Sequence, residues 1–183
     1  MEKQNLITLA KKTHKASQIL SNFTIQDKNK LLNLIHSNIN KNKNNILENN
    51  KIDVKNAKDI NKDFAFIDRL TLTEHKIEVM LNGIQNIISL NDPIGKIIED
   101  KILDNEMNLE KITVPLGVIG VIYESRPDVT TDISSLCIKS GNAVILKGGK
   151  ESMNTNICLT TIIKQSLKEF GTDDNLVNLI EST

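Results

Sequence analysis

Apolar residues recur along this chain at two spacings, and the change from one to the other divides it. From Gln4 to Leu20, the residues Leu6, Leu9, Ala10, Ala16, Ile19 and Leu20 follow the three-or-four spacing of a helix with one buried stripe. Thr24-Ile-Gln-Asp27 reads as an approximate capping box opening a second helix, with Leu31, Leu32, Leu34, Ile35 and Ile39 on a broad face. Thr73 caps a later helix whose stripe is Ile77, Met80, Leu81, Ile84, Ile87 and Ile88, and Asn91-Asp92-Pro93 breaks it. Between them, residues 38–50 (NINKNKNNILENN) are so rich in asparagine that alone they read as a loop. Asp53 to Asp59 suggests a short helix, and Asp63 to Leu70 a turn with a helical piece.

After Pro93 the period shortens. Ile94 to Thr113 alternates partly on either side of Asp104-Asn105 and predicts a β-hairpin. Val118 to Tyr123 (VIGVIY) is a short apolar run of the kind found in parallel strands covered on both faces. Asp128 to Ser140 is amphipathic and helical, Gly141-Asn142 ends that helix with residues that tolerate positive φ, and Ala143 to Leu146 makes a second strand. The unit is βαβ, whose crossovers are almost always right-handed. Asn154 to Phe170 is the next helix, with Ile157, Thr161, Ile162, Ser166 and Leu167 inward and Gly171 at its end; Asp173 to Ile180 begins another repeat. The class is α/β, with a doubly wound domain still adding strands where the sequence stops.

Two loops leave the C-terminal ends of the neighbouring strands, ESRPD and KGGKES, and open α/β sheets bind ligands there. In KGGKES the glycines let backbone approach a ligand, Lys147 and Lys150 bring positive charge, and Glu151-Ser152 opens a helix whose first N–H groups favour an anion. The turn reads as a phosphate site or, alternatively, as a lysine beside an ordinary glycine turn. It is neither a Walker A motif nor the G-x-G-x-x-G fingerprint.

Composition narrows the reading. The 183 residues suffice for one core of ordinary size, and 23 basic side chains balance 23 acidic ones, which argues against a nucleic-acid or membrane-surface binder. No apolar run would span a bilayer and the N-terminus lacks signal-peptide order, so a cytoplasmic protein is expected. Cys137, Cys158 and the histidines His14, His36 and His75 form no spaced cluster, so neither a disulfide framework nor a metal site is indicated. Where lysine is the default cation, the two arginines stand out. Arg126, in the ligand-facing loop, suits an anion contact that needs a planar fork, whereas Arg69 reads as a structural ion-pair partner.

VPLGVIGVIYESRPDVT and SLCIKSGNAVILKGG resemble the glutamate-5-semialdehyde dehydrogenase (γ-glutamyl phosphate reductase) family of the aldehyde dehydrogenase superfamily. The resemblance extends more loosely over the whole chain and covers the N-terminal part of a longer protein. It implies a partial aldehyde-dehydrogenase-like, doubly wound nucleotide-binding domain. Residues 1–93 would form its N-terminal helical part, 94–113 an oligomerisation-type β-hairpin, and 114–183 a truncated Rossmann-like core. It favours helix through 38–50.

It also implies proline biosynthesis: NADPH-dependent reduction of γ-glutamyl 5-phosphate to glutamate 5-semialdehyde through a cysteine thiohemiacetal. Lys147, Gly148, Gly149 and Glu151 would then meet NADP(H), and Arg126 with Ser125 the substrate phosphate. The family's cysteine would lie beyond this chain, so no catalytic residue is assigned; Cys137 fills a buried family position. Asp128 stands where the family pattern has the asparagine that donates to the oxyanion, which a carboxylate cannot do. Asp128 would instead cap the following helix. Three readings follow: half of a split oxidoreductase, a remnant inactive alone, or an interaction protein that uses the hairpin to join an aldehyde dehydrogenase partner.

Overall fold

The computed structural model describes residues 3–181. Five helices come first: α1 (Lys3–Leu20), α2 (Ile25–Lys41), α3 (Lys43–Asp59), α4 (Phe64–Leu70) and α5 (Glu74–Ser89). The antiparallel pair β1 (Ile97–Ile102) and β2 (Asn108–Ile112) follows. Then come β3 (Val118–Ile122), α6 (Pro127–Lys139), β4 (Ala143–Lys147), α7 (Met153–Phe170) and β5 (Val177–Leu179). Short 3-10 turns at Lys150–Ser152 and Asp174–Leu176 lead into α7 and β5. The sheet is parallel in the order β3-β4-β5, with Val118 opposite Ala143 and Val144 opposite Val177.

Local chemistry sets most boundaries. Thr24 and Asp27 complete the capping box of α2, each side chain bonding the other's backbone N–H. Asp63 and Thr73 cap α4 and α5 through the N–H groups of Phe66 and Lys76. At the other ends, Gly141 (φ +71°) and Gly171 (φ +87°) take the left-handed conformation that closes α6 and α7. The segment 38–50 that alone reads as a loop is helical except at Asn42, where α2 ends and α3 begins, so the helix that the resemblance implied is there but does not run through unbroken; Asp53 to Asp59 is the last part of α3.

One core runs from Ala16 to Leu179. The expected stripe of α5 is buried at Ile77, Met80, Leu81, Ile84 and Ile87, and α5 packs on α2 and α6. Below it Lys28, 2% exposed, reaches both oxygens of Asp92 at 2.9 and 2.8 Å. Lys139, also buried, donates to Asn29 Oδ1 and the Ile88 carbonyl, so two lysines fix the exit of α5. Among the described residues no helix is long and apolar enough to cross a membrane.

Several expected details differ. In α1 the buried face is Thr13, Ala16, Ser17 and Leu20, while Leu6, Ala10 and Ile19 are exposed; the helix presents a small-residue face, which a search for large apolar residues misses. Thr13 accepts a hydrogen bond from Asn178 of β5, so a polar pair anchors α1 to the sheet. In α7, Thr161 points outward and Cys158, Leu159 and Ile163 take the buried positions. β3 is not covered on both faces: it pairs only with β4 among the described residues, and Ile122 is 87% exposed. The hairpin is present, with every residue of its two strands exposed.

Candidate functional site

The loops 123–127 and 147–152 leave adjacent strands, as the βαβ pattern requires, and they are packed on each other. Ser125 is buried and its hydroxyl donates to Glu151 at 2.9 Å. The other oxygen of Glu151 meets Lys62, from the turn between α3 and α4, at 2.8 Å. The Lys62 ammonium, helped by the Ser125 hydroxyl, holds the Glu151 carboxyl below its ordinary range against the opposing effect of burial. Beneath the loops runs a polar chain: Tyr123 Oη and Thr130 Oγ1 lie 2.7 Å apart, Thr130 donates to Asn156, and Asn156 to Ser152.

Space explains the two glycines. A Cβ on Gly148 would come within 2.3 Å of Asn156 Nδ2, and one on Gly149 within 2.1 Å of Ser125 Oγ and 3.0 Å of the Ser125 backbone nitrogen. Each glycine admits a close approach of protein to protein, a demand that the turn meets before any ligand arrives.

The start of α7 is likewise occupied from within. Asp53, buried in α3, accepts from the backbone N–H and side-chain amide of Asn154 at 3.2 and 2.7 Å, and from the N–H and hydroxyl of Thr155 at 2.8 and 2.6 Å. A carboxylate is the right partner for a helix N-terminus, and here α3 supplies it. The expectation that these N–H groups await an external anion therefore does not hold. Lys147 remains at the end of β4, half-buried, and Lys150 is exposed beside it.

On the other loop, Pro127 is the first residue of α6, and Arg126 occupies the cap position without a side-chain cap bond. Asp128 therefore does not cap the helix; it sits in the first turn, 3.5 Å from the Arg126 guanidinium. Arg126 and Asp128 line a cavity of about 420 Å³ bounded by α4, α5 and the start of α6. Arg69 lines it too, and among the described residues it makes no ion pair, contrary to the structural role expected of it. Both arginines of the chain thus face one cavity.

The thiols are elsewhere. Cys137 is buried, and burial pushes its pKa up to about 11; burial raises that of Cys158 too. Neither is suited to act as a thiolate. Asp53, Lys62 and Asn156 were not singled out from the sequence. The one available signal was an aspartate inside a helix, where its propensity is poor unless the side chain has a partner.

No protein-family model matches the chain. It is 43% identical over 178 residues to a gamma-glutamyl phosphate reductase from Clostridium kluyveri, covering 97% of this chain and 43% of that protein. The crystal structure of a gamma-glutamyl phosphate reductase from Thermotoga maritima superimposes with a TM-score of 0.94 at 35% identity, covering 97% of this chain and 43% of that one. A putative aldehyde dehydrogenase from Bacillus subtilis shares the fold, with a TM-score of 0.71 at 16% identity over 98% of this chain and 36% of its own. The resemblance seen in the motifs therefore holds over nearly the entire described chain, and the fold is that of the aldehyde dehydrogenases. The chain spans less than half the length of the curated relatives it matches.

Proposed function

We propose that this chain forms the nucleotide-facing part of a γ-glutamyl phosphate reductase, acting in proline biosynthesis in the cytoplasm to reduce γ-glutamyl 5-phosphate to glutamate 5-semialdehyde. The similarity along 97% of the chain to proteins of that name carries this reading. NADPH, when bound, supplies the hydride. Lys147 and Lys150 fit its anionic groups, with Gly148 and Gly149 holding the backbone beside them. The start of α7, filled by Asp53, takes no part in binding it. Ser125 and Glu151, bonded to each other, set the distance between the loops.

Arg126 meets the acyl phosphate with a planar fork of donors. Asp128 cannot donate to an oxyanion while ionised, and its pairing with Arg126 leaves that guanidinium as the nearby donor. The covalent step needs a thiolate, which neither buried cysteine offers, so we assign the nucleophile to a group outside the described residues. The 183-residue chain on its own is expected to give no NADPH-linked turnover of γ-glutamyl phosphate. Turnover abolished by Cys137→Ser or Cys158→Ser would overturn that assignment.

Calorimetric titration with NADPH tests the cofactor side. Lys147→Ala should weaken binding roughly tenfold or more, a charge-assisted contact being worth about 1.5 to 3 kcal/mol. Equal affinity of variant and parent would refute it. The exposed hairpin, with Ile97, Ile98, Ile102, Leu109 and Ile112 in water, is proposed as a self-association surface, which light scattering of the chain and of an Ile98→Lys, Ile102→Lys variant would test.

A further inference from the structure

The cavity beside α6 holds charged side chains that, among the described residues, make no hydrogen bond or ion pair. Lys76, which also lines it, is already engaged: its ammonium donates to the carbonyls of Asp68 and Thr71 at 2.6 and 2.8 Å. Arg126 faces Asp128. Arg69 and Asp132 make no hydrogen bond or ion pair among the described residues, with each other or with anything else. They come from different elements, Arg69 from α4 and Asp132 from α6, and line the same space, with Asp132 against Gly83 of α5. Burial, and then the negative charge of Asp128, raise the pKa of Asp132, and the positive charge of Arg126 offsets this only in part. The half-buried Asp132 and the exposed Arg69 thus offer opposite signs to a cavity of ligand size, next to the exposed carboxylate of Asp68, which among the described residues also makes no side-chain hydrogen bond or ion pair; a ligand that carries both signs is complementary to it.

We propose that Asp132 and Arg69 are specificity-determining residues for a zwitterionic ligand, Asp132 taking its ammonium group and Arg69 its carboxylate, while Arg126 faces the ligand's second anionic group. This deepens the substrate reading above and rests on it, since γ-glutamyl phosphate carries an ammonium, an α-carboxylate and a phosphate.

Titrations of the full 183-residue chain, followed by amide chemical shifts, test the assignment with three probes. L-glutamate carries all three charges, glutarate lacks the ammonium, and 4-aminobutyrate lacks the α-carboxylate. The parent chain should bind L-glutamate about tenfold more tightly than either partial probe. Asp132→Asn should remove the preference over glutarate and keep that over 4-aminobutyrate; Arg69→Gln should do the reverse, and Arg69→Lys should restore part of what Arg69→Gln loses.

A parent chain without these preferences, or variants that keep both, would overturn the assignment. The reductase reading is judged separately, by NADPH binding and its dependence on Lys147. A chain that binds NADPH as expected and ignores the charge pattern of the probes would leave that reading standing and remove this one.

Discussion

The start of α7 and the cavity beside α6 are built from similar groups and use them in opposite ways. At α7 a ligand-type anion site is filled by the chain itself: Asp53 takes the N–H groups of Asn154 and Thr155, and Gly149 closes on Ser125. At α6 the fold brings Arg69, Arg126, Asp128 and Asp132 to one space and gives only Arg126 and Asp128 to each other. The difference separates two meanings of a polar motif. Satisfied buried groups hold elements together, whereas charges left unpartnered in a cavity are available to something else.

The comparison is broken most directly at Asp53. Asp53→Ala leaves two backbone N–H groups and the Thr155 hydroxyl proton without their acceptor in a largely buried place, so a loss of about 2 to 5 kcal/mol in unfolding free energy is expected. Asp53→Asn, which keeps one carbonyl acceptor, should fall in between. Urea denaturation measures both. A loss below about 1 kcal/mol for Asp53→Ala would mean that the α7 terminus is solvated and open to a ligand after all.

A smaller effect is expected at the glycines. Gly149→Ala forces a methyl group onto Ser125 and should cost about 1 to 3 kcal/mol, loosening the Ser125 to Glu151 bond as the loops separate. Gly120→Ala in β3 meets nothing within 4 Å and serves as the control, expected to be neutral or slightly stabilising. If both variants behave alike, the glycines of the turn are not there for packing, and their reading as a ligand cradle regains its standing.

How much of this was legible in the sequence follows the same division. Elements carrying a strong local signal appear where the pattern put them: the capping box at Thr24, the stripe of α5, the glycine stops at 141 and 171, and the two short strands. Residues whose meaning depends on a distant partner do not. Asp53 and Asn50 sit in a polar run without apolar periodicity, yet both are buried because α7 and the residues after α4 lie against them. Arg126 was found because it follows a strand, and Arg69 was misread because only the packing of α4 beside α6 brings it to the same cavity. Motifs near a strand end announce a site; they do not say which of their groups the fold will use itself.

The finest test concerns the sign of a pH dependence at Asp132. Burial, followed by repulsion from Asp128, raises the pKa of this carboxyl in the folded chain above its ordinary value. The folded state then holds the proton more tightly than the unfolded state, so the unfolded chain binds fewer protons in the window between the two pKa values. In that window stability falls as pH rises. Below the ordinary carboxylate range both states are protonated and Asp132 contributes nothing; above its raised pKa the loss is complete and constant. Asn does not titrate, so Asp132→Asn should match the parent chain at low pH and become the more stable of the two as pH climbs toward neutrality. Groups with lowered pKa, such as Asp27, Asp92 and Asp173, are common to both proteins and cancel in the difference. Adding Asp128→Asn removes the second cause of the shift and should narrow the window. Urea unfolding at several pH values reads this difference, which should be well below that of Asp53→Ala. An Asp132→Asn chain less stable than its parent at neutral pH would mean that the carboxylate already has its partner, and that the cavity beside α6 is as internally satisfied as the start of α7.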